Sequence, residues 1–243
     1  MSPEHWTPNT EIFLPMKLLL CAALFAVGSA SAATVTETYT PTIATTPIAD
    51  NQPVLTSFLH RVTTSSILSL SEVTITFELR GTAPGDGWAS DIYASLLKSP
   101  VGIAPSVSDP TAVLLNRVGL PDTNPLAFGY DGWNITLQDI AASDIHGQSL
   151  VSGVLTGTFQ PDGRLNATDT LRPALLSGFN GGTGNGDWRF NIGDLASGGT
   201  MQLVSWSFTL TGESPVPEAS TWAAGLGLAA LAGGTWWRRQ RRN

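Results

Sequence analysis

Residues 73–79 read Val-Thr-Ile-Thr-Phe-Glu-Leu, and that alternation narrows the fold more than any other stretch. Successive side chains of an extended chain point to opposite faces, so Val73, Ile75, Phe77 and Leu79 share one side. Strict period two with β-branched residues predicts a half-buried strand. The same beat returns at 133–137, 188–192 and 204–210. Residues 91–97, 112–118 and 151–159 are also strand-like. Pro161-Asp162-Gly163 and Gly198-Gly199 are turn signals. Residues 139–147 suggest one short helical turn, and the apolar stretch 171–176 leaves helix and strand open. Short strands with no three-turn helix between them predict an all-β chain, an antiparallel β-sandwich. Its buried face is expected to carry Phe77, Trp133, Trp188, Phe190, Trp206 and Phe208. Burying each ring contributes on the order of 2–3 kcal/mol.

Those rings matter because nothing covalent helps. The chain has 243 residues and a single cysteine, Cys21, in an apolar stretch near the start. A body of about 180 residues can bury roughly 70% of its unfolded surface without disulfides. Residues 33–72 open on a threonine- and proline-rich run that suits an extended leader or edge strand, followed by the first strands. From 33 to 217 there are 16 acids and 7 bases, a net charge of −9. An acidic body argues against nucleic acid, which demands basic patches.

Both ends read as addresses. Met16-Lys17 supplies a positive charge, residues 18–27 an apolar core, and Ala30-Ser31-Ala32 a small-residue cleavage site. Residues 1–32 are thus a leader with a signal peptide, whose natural start is expected at Met16. Residues 213–220 form a linker ending in Val216-Pro217-Glu218-Ala219-Ser220. Residues 221–243 hold an uncharged run of 16 residues, 222–237, and then Arg238, Arg239, Arg241 and Arg242. The run is short against the roughly 20 residues of a comfortable span. Snorkelling arginines and interfacial tryptophans suit it to a thin bilayer, and the arginines would stay cytoplasmic.

This tripartite end resembles the PEP-CTERM sorting signal of exopolysaccharide-producing Gram-negative bacteria. Val216, Pro217, Glu218 and Ser220 match the motif, and Ala219 stands in place of its second proline. The resemblance implies export through the inner membrane, transient retention by a transmembrane helix, and processing by an exosortase-type enzyme. It also implies release to the cell surface or extracellular matrix.

The body resembles the P domain of proprotein convertases over residues 73–212. Ser90-Asp91-Ile92-Tyr93-Ala94-Ser95-Leu96, with Ser99-Pro100-Val101-Gly102, looks like the family's aspartate-opened strand and its Ser-Pro-x-Gly turn. Residues 186–194 look like its Gly-x-Trp strand with a closing aspartate. Gly199 and residues 203–212 look like its last segment, with Phe208 in the first leucine position. The resemblance implies a jelly-roll-like sandwich. In convertases this domain steadies an adjoining subtilisin-type catalytic domain, a role that is not expected to transfer to this body.

Catalytic chemistry is not apparent. The body holds two histidines, His60 and His146, and no Gly-x-Ser-x-Gly elbow. His146 is expected to be a solvated loop residue. Zinc lacks cysteines and paired histidines. The glycine run 180–186 has no following lysine and is no phosphate loop. Calcium is the open metal question. Asp86, Asp91, Asp187 and Asp194 sit on loops or strand ends, and Asp91 and Asp194 are the best candidates. Asp139 with Asp144 imitates a glycosidase pair by chance. Asn134 and Asn166, each in an Asn-x-Thr sequence, read as strand and turn residues. The expectation is a non-enzymatic exported protein with a structural or adhesive role linked to exopolysaccharide. The alternative is an accessory P-domain module that binds a separately encoded secreted protease.

Overall fold

The computed structural model describes residues 32–83, 87–88, 91–119, 131–148, 153–215, 227, 237–238 and 240–241. The body, Ala32–Pro215, is one compact unit. Its described residues form ten strands: β1 (Ala32–Tyr39), β2 (Thr46–Pro47), β3 (Thr56–Val62), β4 (Ser69–Gly81), β5 (Ile92–Ser99), β6 (Thr111–Asn116), β7 (Gly132–Leu137), β8 (Val154–Phe159), β9 (Gly186–Asp194) and β10 (Met201–Pro215). One sheet runs β1-β10-β4-β7-β8, with β2 also on β10; the other runs β3-β9-β5-β6. The expected sandwich is thus present. The threonine-rich leader is built into it as the edge strand β1.

One pairing departs from the antiparallel expectation. β7 and β8 run parallel, Gly132 opposite Val154 through Leu137 opposite Phe159. A parallel neighbour needs a long crossover. Residues 138–153 supply one, with a 3-10 turn at Ile145–Gly147 inside it. The undecided stretch 171–176 is irregular until a second 3-10 turn, Leu176–Phe179.

The long strands β4 and β10 form the spine. Val73, Ile75, Phe77 and Leu79 alternate inward as expected, and Trp206, Phe208 and Leu210 lie beside them on β10, on the same buried face. Trp188, Phe190 and Ile192 of β9 answer from the second sheet. The rings interlock: Phe77 lies 5.3 Å from Phe190, Phe190 5.7 Å from Trp206, and Trp188 5.2 Å from Phe208. On the solvent side, Thr36 meets Thr211, Thr38 meets Thr209, and Thr76 meets Thr136 across strands. Such pairs set register where no apolar contact does.

Two glycines are required by close approach. A Cβ on Gly132 would lie 2.1 Å from the Leu79 carbonyl oxygen, where β7 meets β4. One on Gly212 would lie 2.3 Å from the Ser69 carbonyl oxygen, at a bulge between β10 and β4.

Trp206 and Trp188 are both fully buried, yet their indoles differ. Trp188 Nε1 donates to the Gly184 carbonyl at 3.1 Å, whereas Trp206 Nε1 is buried without a partner. Replacing Trp206 by phenylalanine loses ring volume and also relieves an unmet donor. Trp206→Phe is therefore expected to shift the urea midpoint less than Trp188→Phe does; equal shifts would contradict this.

The sorting motif, residues 216–220, and the signal peptide lie outside the described residues, as do Arg239 and Arg242. Of the C-terminal segment, Gly227, Trp237, Arg238, Gln240 and Arg241 are described. The Arg241 amide donates to the Trp237 carbonyl at 3.3 Å. The Arg241 guanidinium lies 3.8 Å from the Trp237 ring centroid. Among the described residues no helix is long and apolar enough to cross a membrane.

Candidate functional site

The two calcium candidates come together. β5 begins beside the end of β9, with Ile92 opposite Asp194. The Leu195 amide donates to the Asp91 carbonyl at 2.7 Å. Both carboxylates are buried. A third acid, Asp50, belongs to the same group, because its charge and that of Asp91 both act on Asp194. The connection is direct: the Gln52 amide donates to the Asp194 carbonyl at 2.8 Å. Asn51 turns the chain there with a left-handed φ of 52°. Asp50 Oδ1 is buried without a hydrogen-bond partner.

This environment raises the Asp194 carboxyl to about 6. Burial is the main cause, and the like charges of Asp91 and Asp50 add to it, against one weak amide donor from Ala196 at 3.4 Å. Three acids with an unmet oxygen suit a hard cation in donor chemistry. In geometry, no group of three His, Cys, Asp or Glu among the described residues is arranged to hold a metal ion. Without a cation, burial and the neighbouring acids make Asp194 hold its proton more tightly than a solvated carboxyl does.

A raised carboxyl binds its proton more tightly folded than unfolded. Its contribution to stability is complete below 3.8 and is lost as pH rises through about 6. The melting temperature is therefore expected to rise as pH is lowered from 7.5 to 5. Asp194→Asn should raise it at pH 7.5 and flatten that part of the profile. A profile unchanged by the substitution would count against the assignment. A calcium-induced rise in wild type that is absent from Asp194→Asn would show that a cation replaces the proton.

Asp187 does something else. Arg61 donates to it from Nε at 2.7 Å and from a terminal nitrogen at 2.9 Å, and the Gly102 amide adds 3.2 Å. The Arg61 hydrogen bonds hold its carboxyl below the usual range, so it is an ion-pair partner rather than a cation donor. Asp86 lies outside the described residues.

A second polar cluster joins loop 139–148 to segment 160–172. Its hub is Asp162, fully buried. Its Oδ2 accepts from the Asn116 amide at 3.2 Å and lies 2.6 Å from His146 Nδ1. Its Oδ1 accepts from Arg164 at 3.0 Å, and Arg164 also donates to Asp144 at 2.8 Å. Arg172 donates to Gln160 Oε1 at 2.7 Å and to the Pro161 carbonyl. The expected solvated His146 is thus corrected, since its side chain is only 12% exposed and is oriented by a buried aspartate. His60 is also packed, tilted against Tyr39 and edge-on to Phe208, and burial lowers its pKa.

The chance acid pair separates. Asp139 accepts from the Leu176 and Ser177 amides and caps the second 3-10 turn, while Asp144 serves Arg164. Asp162 as a hub has no local signal, because Pro-Asp-Gly marks a solvated turn. Asp50 was missed because it lies 41 positions before Asp91.

No family model matches this chain, and no curated protein matches it. Among solved structures it is similar to the Aeromonas sobria serine protease, in the crystal structure of that protease with its chaperone (ORF2). There the identity is 18% and the TM-score 0.39, over 81% of this chain and 29% of the other. It is also similar to the crystal structure of the serine protease of Aeromonas sobria, at 18% identity and a TM-score of 0.37, over 79% of this chain and 29% of the other. The chain therefore spans less than a third of the length of the chains it matches.

Proposed function

We propose that this protein is an exported, non-enzymatic binding module, and that its partner is a separately encoded secreted protease of the subtilisin type. The observation that carries the reading is where the P-domain-like motifs fall. The Asp91 strand start and its Ser-Pro-x-Gly turn bracket β5, the Gly-x-Trp motif is β9, and the closing motif is β10. β5 and β9 are direct neighbours, so motifs about 90 positions apart meet in one sheet. Arg61, Arg164 and Arg172 are engaged with acids or carbonyls of the body itself, Arg61 from an exposed position.

The ends supply the address. A signal peptide carries the body across the inner membrane, and residues 221–243 hold it there. The motif Val216, Pro217, Glu218 and Ser220 offers it to an exosortase-type enzyme. Affinity capture of the tagged protein from culture of its native host tests the partner. Recovery of a subtilisin-type protease is the expected result. Exopolysaccharide alone would replace this reading with a matrix-adhesive one. Intact mass of the same sample tests the tail: a C-terminus between 217 and 220 means processing, and a retained arginine cluster means a plain anchor.

A further inference from the structure

The loop between β5 and β6, residues 100–110, presents its aliphatic side chains to solvent. Val101 is 41% exposed, Ile103 58%, and Val107 fully so. The backbone beneath them is firmly tied. The Ile103 amide donates to the Pro100 carbonyl at 3.1 Å, and Ser99 Oγ donates to the Ile103 carbonyl at 3.2 Å. Gly102 is held by Asp187, and Asp109 accepts from the Ser106 amide at 2.8 Å. Asp109 is the one charge in the loop. A fixed loop that exposes aliphatic groups with little charge is built to meet an apolar medium.

The register says where that loop is. Ser99 and Arg61 both lie opposite Asp187, so β5 and β3 end where β9 begins. The Gly184 amide, just before β9, donates to the Ile67 carbonyl, and the Leu68 amide donates to the Glu213 carbonyl. β4 begins there and β10 ends there, with Pro215 opposite Ala32. Loop 100–110 therefore occupies the end of the sandwich from which both termini of the body leave. Two more exposed aliphatic residues lie at this end: Leu68, just before β4, and Ile140, beyond the Leu137 that pairs with Ile75.

Six residues, 216–221, separate Pro215 from the apolar run. An extended chain covers at most about 3.3–3.6 Å per residue, so this link reaches roughly 20 Å. With residues 222–237 in a bilayer, this end of the body cannot stand farther than that from the lipid surface. We infer that loop 100–110 rests in the membrane interface, with Ile103 and Val107 among the headgroups and Leu68 and Ile140 beside them. The body is then docked on the bilayer that anchors it, and its opposite end faces away. Shallow insertion of aliphatic groups is the interfacial mode of membrane contact. This inference rests on the membrane anchoring proposed above.

The test uses residues 33–243, which lack the leader and carry no cysteine, reconstituted into phosphatidylethanolamine–phosphatidylglycerol vesicles. Single cysteines at Ile103→Cys, Val107→Cys and Leu165→Cys carry an environment-sensitive fluorophore. Leu165 is the control: it is exposed, and its carbonyl accepts from Asn116 at the far end of β6. Lipid-borne quenchers are expected to dim positions 103 and 107 at least threefold more than 165. Equal quenching at all three positions, with the protein still in the vesicles after an alkaline wash, overturns the docking and leaves the anchor standing. Energy transfer between copies at position 107 without lipid quenching also overturns it, in favour of self-association. Loss of the protein from the vesicles overturns the anchor itself, and the docking with it.

Discussion

Trp188→Ala is expected to remove about 3–5 kcal/mol of stability, enough to unfold much of the population at 37 °C. Trp188 is fully buried on β9 at the centre of the ring network. It lies 5.2 Å from both Phe179 and Phe208, so truncation opens a cavity between the two sheets and the second 3-10 turn. It also releases the Gly184 carbonyl, the acceptor of its indole N–H. Gly184 is tied in turn to Ile67, so damage at this one ring reaches the start of β4. Urea unfolding followed by far-ultraviolet circular dichroism would measure it. A loss below about 1 kcal/mol would mean that the two sheets can close over the gap, which dense packing of large rings opposes.

Asp162→Ala is the second large effect, again about 3–5 kcal/mol, by a different route. No cavity of consequence forms. The cost is that Arg164, with a side chain 15% exposed, loses one of its two carboxylates, while His146 and the Asn116 amide lose their acceptor. Buried donors left unmet cost more than the bond they made. The loss should localise, loosening loop 139–148 and segment 160–172 before the sheets. Hydrogen exchange should therefore accelerate at Ile145, whose amide donates to Gln160, before it does at Phe77. Uniform acceleration through both sheets would show that the cluster supports the whole body.

The sheet strands were legible for a simple reason. Period-two alternation is a local property, and a half-buried strand imposes it residue by residue. Trp188-Arg-Phe-Asn-Ile could be assigned without knowing its neighbours. Pairing is not local. Nothing in residues 133–137 or 154–159 says that they run parallel, because either direction buries the same side chains. The crossover that decides the matter shows turns and bends over its described residues 138–148.

The site was legible in the same uneven way. Asp91 and Asp194 were found because each marks the end of a recognisable strand. Asp50 was not, since it sits in a threonine- and proline-rich stretch that reads as a solvated leader. His146 was misread because a Ser-Asp-x-His-Gly loop gives no hint of a buried partner sixteen positions away. Exposure follows from the whole fold, and a short window of sequence carries little of it.

The place of β10 bears on how this domain would respond to being pulled. The tail leaves from Pro215, and over residues 208–213 the strand is bonded to β1 on one side and β4 on the other. Tension applied through the tail acts along β10, parallel to its neighbours. The ladder is then strained in shear, where many hydrogen bonds must fail together, rather than peeled apart one at a time. A strand held on both sides in that way resists a pull at Pro215 with its whole ladder at once.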